Sequence, residues 1–278
     1  FIILQVIWAI GLSMILLGLL LLPGKKLILP IGLLLVFGHN IFDYIKLTEG
    51  TVGTQIIKAI IAGPFVQPVG PAHTVAFFYT LLPWTGLMFT GFGIGYWFAD
   101  FTIEKRRRWL LASGTIAVAL FVFIRLMNGY GNPRPWVGQA SPLYTVLSFL
   151  DVSKYPPSLD YSLMTIGPAL LLLTFFERSQ NSLIHIFTVY GKVPFFYYVC
   201  HFYLIHIGTV VAFFISGYTL ADMIPKSSPF LFRPDNFGYA LPVVYLIWLA
   251  IVALLYKPCK WFIGVKQRNR EKWWIHYV

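Results

Sequence analysis

The stretch WLLASGTIAVALFVFIRLM, residues 109–127, decides the fold. It holds one charged residue, Arg125, among nineteen, and about 20 apolar residues in a helix can cross a bilayer with every backbone group hydrogen-bonded inside the helix. Six more segments have the same character. The sequence therefore predicts an all-α, polytopic transmembrane helix bundle with seven spans in this chain. The predicted spans are Phe1–Leu22, Leu27–Tyr44, Val75–Ala99, Trp109–Met127, Ser158–Phe176, Val193–Ile215 and Phe237–Tyr256.

The composition excludes a soluble globular domain. Of 278 residues, 58% are hydrophobic and 11% are charged, against about a quarter charged in soluble domains. The 21 Lys and Arg outnumber the 10 Asp and Glu, but they lie between apolar runs and form no patch suited to nucleic acid. Cys200 and Cys259 form neither a disulfide framework nor a metal-ligand pattern, so we expect no metal. One integral membrane domain over residues 1–278 is predicted, with the lipid bilayer as its partner.

The basic residues predict the orientation. Fourteen of them flank the spans on one side and six on the other, and cytoplasmic loops carry the excess. We therefore expect a bacterial inner-membrane protein with a cytoplasmic carboxyl terminus and Phe1 outside. Because no initiator Met or signal peptide precedes Phe1, we also expect an odd number of missing amino-terminal spans. The six outer bases are Lys46, Lys58, Arg134, Lys154, Lys226 and Arg233, and Arg178 is among the inner ones.

The long connections all fall on the outer side, and loops of this length are often functional. They are Ile45–Thr74, Asn128–Pro157 and Ser216–Asn236. We expect them to fold over the bundle and build a site that faces away from the cytoplasm. Within the third span, Gly91, Gly93 and Gly95 permit close contact between helices.

A polar group ends the second span. His39, Asn40 and Asp43 are spaced to share one face of an α-helix, and an Asp one turn from a His can raise its basicity for general-base catalysis. The sequence thus proposes His39 and Asp43 as catalytic residues, with Asn40 as a substrate ligand. The alternative is a helix-end cluster that hydrogen-bonds loop amides.

The sixth span contains two histidines at membrane depth. His201 and His206 are five residues apart, which turns them about 140° from each other and argues against one shared metal ion. Tyr198 shares the face of His201. Either these three side chains line a substrate cavity or each one bonds to a neighbouring helix.

Arg125 is the one basic residue inside a span. It can reach the interface, pair with an acid such as Asp43 or Asp160, or bind an anionic part of a substrate. The donors that follow in the loop suit sugar or phosphate binding, although they are also typical of an interfacial belt. Together with Arg125, the candidate substrate-binding residues here are Asn128, Tyr130, Arg134 and Lys154.

A basic run precedes the fourth span. Arg106, Arg107 and Arg108 could hold the phosphates of a cytoplasmic acyl donor, and orientation anchoring is the alternative reading.

Six short segments carry a resemblance to a known family. They are ILQVIWAIG (residues 3–11), FGHN (37–40), LPWTG (82–86), NGYGN (128–132), KYPP (154–157) and VPFFYY (193–198). With them the chain resembles, over nearly its whole length, a bacterial membrane-protein family related to heparan-alpha-glucosaminide N-acetyltransferase.

The resemblance implies a multispan acyltransferase. Such an enzyme would take the acetyl group of cytoplasmic acetyl-CoA, its co-substrate, and deliver it to an amino sugar or glycan across the membrane. It also implies about ten spans in the complete protein and a principal catalytic histidine ahead of Phe1, which His39 would assist. Two alternatives stay open: O-acylation of a surface polysaccharide or lipid-linked glycan, and a transporter or flippase without covalent chemistry. A homodimer is also left open.

Overall fold

The computed structural model describes residues 2–45, 51–69, 73–177, 179, 181–224 and 231–276. These residues form ten α-helices and three short strands, and 72% of the structure is helical. The prediction of a mainly helical fold is confirmed. Of the bases used to predict orientation, Lys46, Arg178 and Lys226 lie outside the described residues.

The α-helices are numbered in chain order. They are α1 (Val6–Leu21), α2 (Ile28–Gly38), α3 (Val52–Ile61), α4 (Leu81–Asp100), α5 (Ile103–Met127), α6 (Pro142–Leu150), α7 (Leu159–Phe176), α8 (Ser182–Lys192), α9 (Pro194–Ile215) and α10 (Leu241–Arg268). Four short 3-10 segments accompany them, at Lys25–Leu27, His39–Tyr44, Leu220–Asp222 and Trp273–His276.

Five helical segments among the described residues are long and apolar enough to cross a membrane. They are Lys25–Tyr44, Ile103–Met127, Leu159–Phe176, Pro194–Ile215 and Leu241–Arg268. In the last two, 6% of the most apolar window is buried within the protein. Apolar helices that expose most of their surface are costly in water and ordinary in lipid, so these five segments are those of a membrane protein.

The structure changes the ends of several predicted spans. The third does not begin at Val75, because residues 73–77 form a strand and α4 begins at Leu81. The seventh begins at Leu241 rather than Phe237 and continues to Arg268, so that Lys257, Lys260 and Lys266 lie on a helix. Helix α1 has 16 residues and is shorter than the predicted first span.

A small sheet accompanies the helices and was not predicted. Strand β1 (Ile2–Leu4) pairs in parallel with β3 (His73–Phe77), and β2 (Phe65–Val69) pairs with β3 in antiparallel fashion. In register, Ile2 lies opposite Val75 and Phe65 opposite Phe77. The sheet satisfies the backbone of residues that the sequence assigned to a span or a loop.

The chain divides into two compact units, Phe1–Arg178 and Ser179–Val278. In the first unit, α2 packs on α4 and α5 packs on α7. In the second, α10 packs on α8 and α9. The prediction of one membrane domain over residues 1–278 stays a prediction.

Glycines allow the closest helix contacts in the first unit. A Cβ at Gly93 would lie 2.6 Å from the Cβ of Leu29, and one at Gly167 would lie 3.1 Å from the backbone nitrogen of Val118. A Cβ at Gly91 or Gly95 would meet no atom of another element within 4 Å. The predicted close contact therefore depends on Gly93 alone of the three glycines, because only Gly93 faces α2.

Candidate functional site

Four buried polar residues of the first unit lie where α5 ends and α7 begins. His39, Asn40, Arg125 and Asp160 are 5%, 2%, 2% and 1% exposed, and we call them the polar cluster. The loop of residues 128–157, which includes α6, folds over them. Burying two charged side chains is costly unless their partners are in place, so the contacts of each one bear on function.

The first turn of α7 is capped by three different segments. The backbone N–H groups of Leu159, Asp160 and Tyr161 donate to Asn40 Oδ1 at 2.8 Å, the Gly131 carbonyl at 2.9 Å and Ser158 Oγ at 3.0 Å. The first N–H groups of a helix have no partner within it, so these contacts complete the turn. The Asp160 carboxylate takes no part in this capping.

Arg125 ties the covering loop to α5. Its Nε donates to the Phe149 carbonyl at 2.9 Å, and its Nη2 donates to the carbonyls of Ser148 at 3.1 Å and Asp151 at 2.8 Å. Nη1 donates to the Arg134 carbonyl at 3.0 Å. The last carbonyls of a helix lack partners and carry partial negative charge, so a guanidinium beside the end of α6 stabilises it.

Arg125 also pairs with Asp160. Its Nη1 lies 3.9 Å from Asp160 Oδ2, at the outer limit of an ion pair. Of the three uses predicted for Arg125, pairing with an acid is the one formed here, and the acid is Asp160 rather than Asp43. Within the described part of the chain, neither carboxylate oxygen of Asp160 has a hydrogen-bond partner. Both carboxylate oxygens of Asp160 can therefore accept a hydrogen bond within the polar cluster.

The predicted pairing of His39 with Asp43 is wrong. His39–Tyr44 forms a 3-10 helix, in which residues three apart share a face. Asn40 Nδ2 therefore donates to Asp43 Oδ2 at 2.6 Å, and the exposed Asp43 does not reach His39.

His39 instead joins α2 to the residues before α7. Its Nε2 lies 2.8 Å from the Pro157 carbonyl oxygen, and its Nδ1 lies 2.9 Å from that of Val36. Carbonyl oxygens only accept hydrogen bonds, so neither ring nitrogen offers a lone pair to a substrate while these contacts hold. The contacts give His39 a positioning role, and its predicted role as a base stays a prediction.

Other predicted ligands lie in the covering loop. Asn128 forms two hydrogen bonds of 2.9 Å with the backbone of Trp136, and the Tyr130 hydroxyl donates to the Phe37 carbonyl. Both side chains therefore shape the loop. Arg134 and Lys154 are exposed, and the ammonium of Lys154 lies 5.3 Å from the centre of the Tyr155 ring.

The pKa values of two tyrosines of this loop are shifted in opposite directions. Burial, together with the nearby Asp43 carboxylate, raises the pKa of Tyr130. The hydrogen bond from Tyr79, whose hydroxyl lies 3.3 Å away, lowers the pKa of Tyr155, and Lys154 lowers it further against the effect of burial. The two phenols are thus distinguishable by titration.

The predicted donor-binding arginines lie at the opposite end of α5. Arg106 pairs with Glu177, with 2.7 Å between Nη2 and Oε2, and Arg107 Nε donates to the Thr174 carbonyl at 3.3 Å. A cleft of about 260 Å³ lies beside them, lined by Glu104, Arg107, Arg108, Leu111 and Thr174. Arg107 and Arg108 line this cleft, whereas Arg106 is engaged by Glu177.

An apolar groove of about 360 Å³ lies within the first unit, between α2, α4, α5 and α7. Along α5 its lining residues extend from Trp109 to Leu120, roughly 17 Å at about 1.5 Å per residue. Three hydroxyl-bearing residues, Thr90, Ser113 and Ser162, interrupt its apolar wall. The groove begins near the basic end of α5 and extends toward the polar cluster.

The predicted residues of the sixth span lie in the second unit. His201 Nδ1 lies 3.1 Å from the Tyr197 carbonyl oxygen, and its ring stacks on that of Tyr197 with centres 5.2 Å apart. His206 and Tyr198 are exposed. Within the described residues, no group of three or more His, Cys, Asp or Glu side chains is placed to hold a metal ion.

Sequence reasoning gave Asp160 only a secondary role, as one of two partners for Arg125. A signal was present, because an acid just inside a membrane-length helix is functional by default. Gly131, Pro157 and Ser153 were missed as well, since they contribute through backbone atoms that no side-chain pattern reveals.

No family model, no curated protein and no solved structure matches the chain. The resemblance described from the sequence stays a prediction.

Proposed function

We propose that this protein is a membrane-bound acyltransferase that moves an acetyl group from acetyl-CoA to an amino sugar or glycan on the other side of the membrane. The observation that carries the proposal is the apolar groove along α5, which extends from the basic end of the helix toward the buried polar cluster. A thioester arm needs such a route, because it must pass the bilayer interior without exposure to water.

The finer membrane arrangement belongs to the same proposal. We infer that α1 and α4 also span the membrane, which gives seven spans in this chain. The excess of basic residues supports a cytoplasmic location for the Arg106 end of α5 and for the carboxyl terminus in a bacterial inner membrane. The polar cluster then lies on the outer side.

The donor would bind at the basic end. Arg107 and Arg108 line the cleft beside α5 and can donate hydrogen bonds to phosphate oxygens. Arg106 would contribute by holding α5 to α7 through Glu177. This assignment narrows the three arginines predicted from the sequence to two direct ligands.

The acceptor would react at the polar cluster. In the proposed step, the acceptor nitrogen attacks the thioester carbonyl carbon, and the C–N bond forms as the C–S bond breaks. The nitrogen gives a proton to the Asp160 carboxylate, and coenzyme A leaves as a thiolate that takes up a proton. Arg125 would stabilise the carboxylate, and the loop over the cluster must open for the acceptor to enter.

Two related functions use the same features. A hydroxyl acceptor would make the protein an O-acyltransferase of a polysaccharide or lipid-linked glycan. The apolar wall of the groove also suits a lipid tail, which favours a flippase as the second candidate function.

The test measures transfer of labelled acetyl from acetyl-CoA to glucosamine by the full-length protein, purified in detergent. We expect Asp160→Asn to slow transfer on the order of 100-fold, the usual loss for a general base. Asp151→Asn is the matched control, because it removes an exposed carboxylate near Arg125 and keeps the carbonyl that Arg125 uses.

A second pair of variants tests the groove. Ile116 lines the groove and Val122 lines another face of α5, and both are exposed. Ile116→Trp should block transfer, whereas Val122→Trp should not. Absence of labelled product from the wild type, or equal rates for Asp160→Asn and the wild type, would contradict the proposal. Movement of a lipid-linked glycan without labelled product would instead favour the flippase.

A further inference from the structure

Helix α3 of the first unit carries apolar side chains on its outward side. Ile56 and Ile57 are 57% and 44% exposed, whereas the polar Thr54, Gln55 and Lys58 are half-buried. A helix on the surface of a soluble protein has the reverse arrangement, with its apolar residues toward the core and its polar residues in water. The outward side of α3 is therefore suited to an apolar environment.

Contacts at both ends of α3 fix this orientation. The helix packs on α4, and Ala59 is 7% exposed. The Thr54 N–H donates to Thr51 Oγ1 at 3.2 Å, which caps the first turn. Just beyond the helix, a Cβ at Gly63 would lie 3.0 Å from Thr80 Cγ2, so the chain there closely approaches the residue before α4. The outward side therefore belongs to a packed helix rather than to a loose segment.

The chain keeps α3 close to a surface of the bilayer. Thr51 follows Tyr44, the last residue of a segment long and apolar enough to cross a membrane, by seven residues. A chain of that length reaches at most about 25 Å. Helix α3 has ten residues, so it is about 15 Å long, against the roughly 30 Å that a spanning helix must cross. It is long enough to lie along the bilayer surface and too short to cross the bilayer.

Single apolar residues on a protein surface are common and need no partner. In α3, however, the two exposed isoleucines are adjacent in the sequence, and the polar side chains of the same helix are the more buried ones. Rotation of α3 about its own axis would place the isoleucines against the protein and the polar residues in water. The fold keeps the other orientation, which is the favourable one where lipid surrounds the helix.

We propose that α3 lies in the plane of the membrane surface, with Ile56 and Ile57 inserted among the lipid acyl chains just below the headgroups. An amphipathic helix of this kind buries its apolar side about 5–10 Å into the boundary between headgroups and acyl chains. The lipid that surrounds the spanning segments is thus also the partner of α3. This contact is separate from the proposed acyl transfer and does not depend on it.

The test places a spin label on α3 in the full chain, reconstituted in phosphatidylcholine vesicles. Ile56→Cys and Ile57→Cys are each labelled in a chain whose two native cysteines are replaced by alanine. Collision of the label with oxygen, which concentrates in lipid, is compared with its collision with a water-soluble nickel chelate. We expect both labels to favour oxygen and to report a depth of about 5–10 Å below the lipid phosphates. Phe123→Cys, at a position 60% exposed on α5, is the control for lipid, and Asp151→Cys, at an exposed charged position, is the control for water.

A second measurement uses the chain without substitutions, so it does not depend on whether the cysteine variants fold. A phosphatidylcholine with a photoactivatable group on its acyl chain, close to the ester linkage, is activated in the same vesicles. Mass spectrometry then locates the residues that the lipid has modified. We expect modification at Ile56 or Ile57, in the tryptic peptide that ends at Lys58, together with modification of the exposed side of α5.

Three results would overturn the proposal. Labels at Ile56 and Ile57 that collide mainly with the nickel chelate would show that this side of α3 faces water. Labels that neither reagent reaches would show that another part of the protein, or a second copy, covers it. The third result is a lipid that modifies α5 and leaves α3 unmodified.

Discussion

Arg106 and Arg125 lie nineteen residues apart on α5, roughly 29 Å at about 1.5 Å per residue, and their surroundings differ sharply. Arg106 makes a direct ion pair with Glu177, and the two side chains are 14% and 11% exposed. Arg125 is 2% exposed, gives its N–H groups mainly to carbonyls and lies 3.9 Å from its acid. One end of the helix therefore holds a partly solvated ion pair, and the other holds a buried network.

The difference shows what each arginine does for the fold. Removing Arg106 releases one carboxylate that water can reach. Removing Arg125 strands several carbonyls and leaves the Asp160 carboxyl in the interior without its cation, which is far more costly. The carboxylate oxygens of Asp160 accept no hydrogen bond among the described residues, and the proposed function therefore places the reaction at the Arg125 end.

The largest expected effect follows from removing Arg125. Arg125→Met should destabilise the protein by about 3–5 kcal/mol, because it breaks a buried charge pair and leaves the end of α6 without donors. The measurement is thermal unfolding in detergent. Adding Asp160→Leu should recover part of the loss, since no buried carboxyl without a partner then remains. A single variant as stable as the wild type would show that the network does not hold the loop.

A smaller effect is expected at the other end of α5. Arg106→Gln and Glu177→Gln should each cost about 1 kcal/mol, and the double variant should cost less than their sum. High salt should weaken the pair, because its side chains are partly exposed. A double-mutant cycle with no coupling energy would mean that the 2.7 Å contact contributes nothing to stability.

The smallest effect concerns pH and the loop that covers the polar cluster. Folding lowers the pKa of Tyr155, so its ionised phenol stabilises the folded state. This contribution is fully present above the pKa of the unfolded chain, near 10, and is lost as the pH falls through the pKa of the folded protein. Tyr130 has the opposite sign, since its raised pKa gives a contribution that is lost as the pH rises through the folded value.

Spectrophotometric titration of the phenols measures the pKa of each of the two tyrosines. Tyr155→Phe should remove an early ionisation, and Tyr130→Phe a late one. Tyr79→Phe should move the Tyr155 ionisation toward higher pH, because the hydrogen bond from Tyr79 is the main cause of the shift. If Tyr79→Phe leaves that ionisation in place, the contact between the two hydroxyls is not its cause.

The sequence predicts the apolar interior of this fold better than its edges. Helix α5 illustrates this, because hydropathy marks Trp109 as the start of the apolar run, while the helix begins at Ile103 with Thr102 as its cap. Charged residues outside the bilayer do not stop a helix, so the end of an apolar run is not the end of the element. A short apolar run such as residues 73–77 does not by itself distinguish a strand from a helix, and pairing with β1 and β2 makes it a strand.

The candidate site was predictable in part. His39 and Asn40 contact the residues where α7 begins, and Arg125 pairs with Asp160, one of the two acids that the sequence offered. Their roles depend on the 3-10 winding of residues 39–44 and on carbonyls of a distant loop, and neither leaves a pattern in side-chain types. The pairing of Asn40 with Asp43, in place of His39, follows from the winding alone.

The partners of Arg125 have a consequence for biosynthesis. The carbonyls at Arg134, Ser148, Phe149 and Asp151, and the carboxylate of Asp160, all follow Arg125 in the chain. When α5 leaves the ribosome, the segment that carries these groups still lies behind it in the exit tunnel and has not folded. The guanidinium therefore keeps water as its partner until these residues have emerged and folded back on α5.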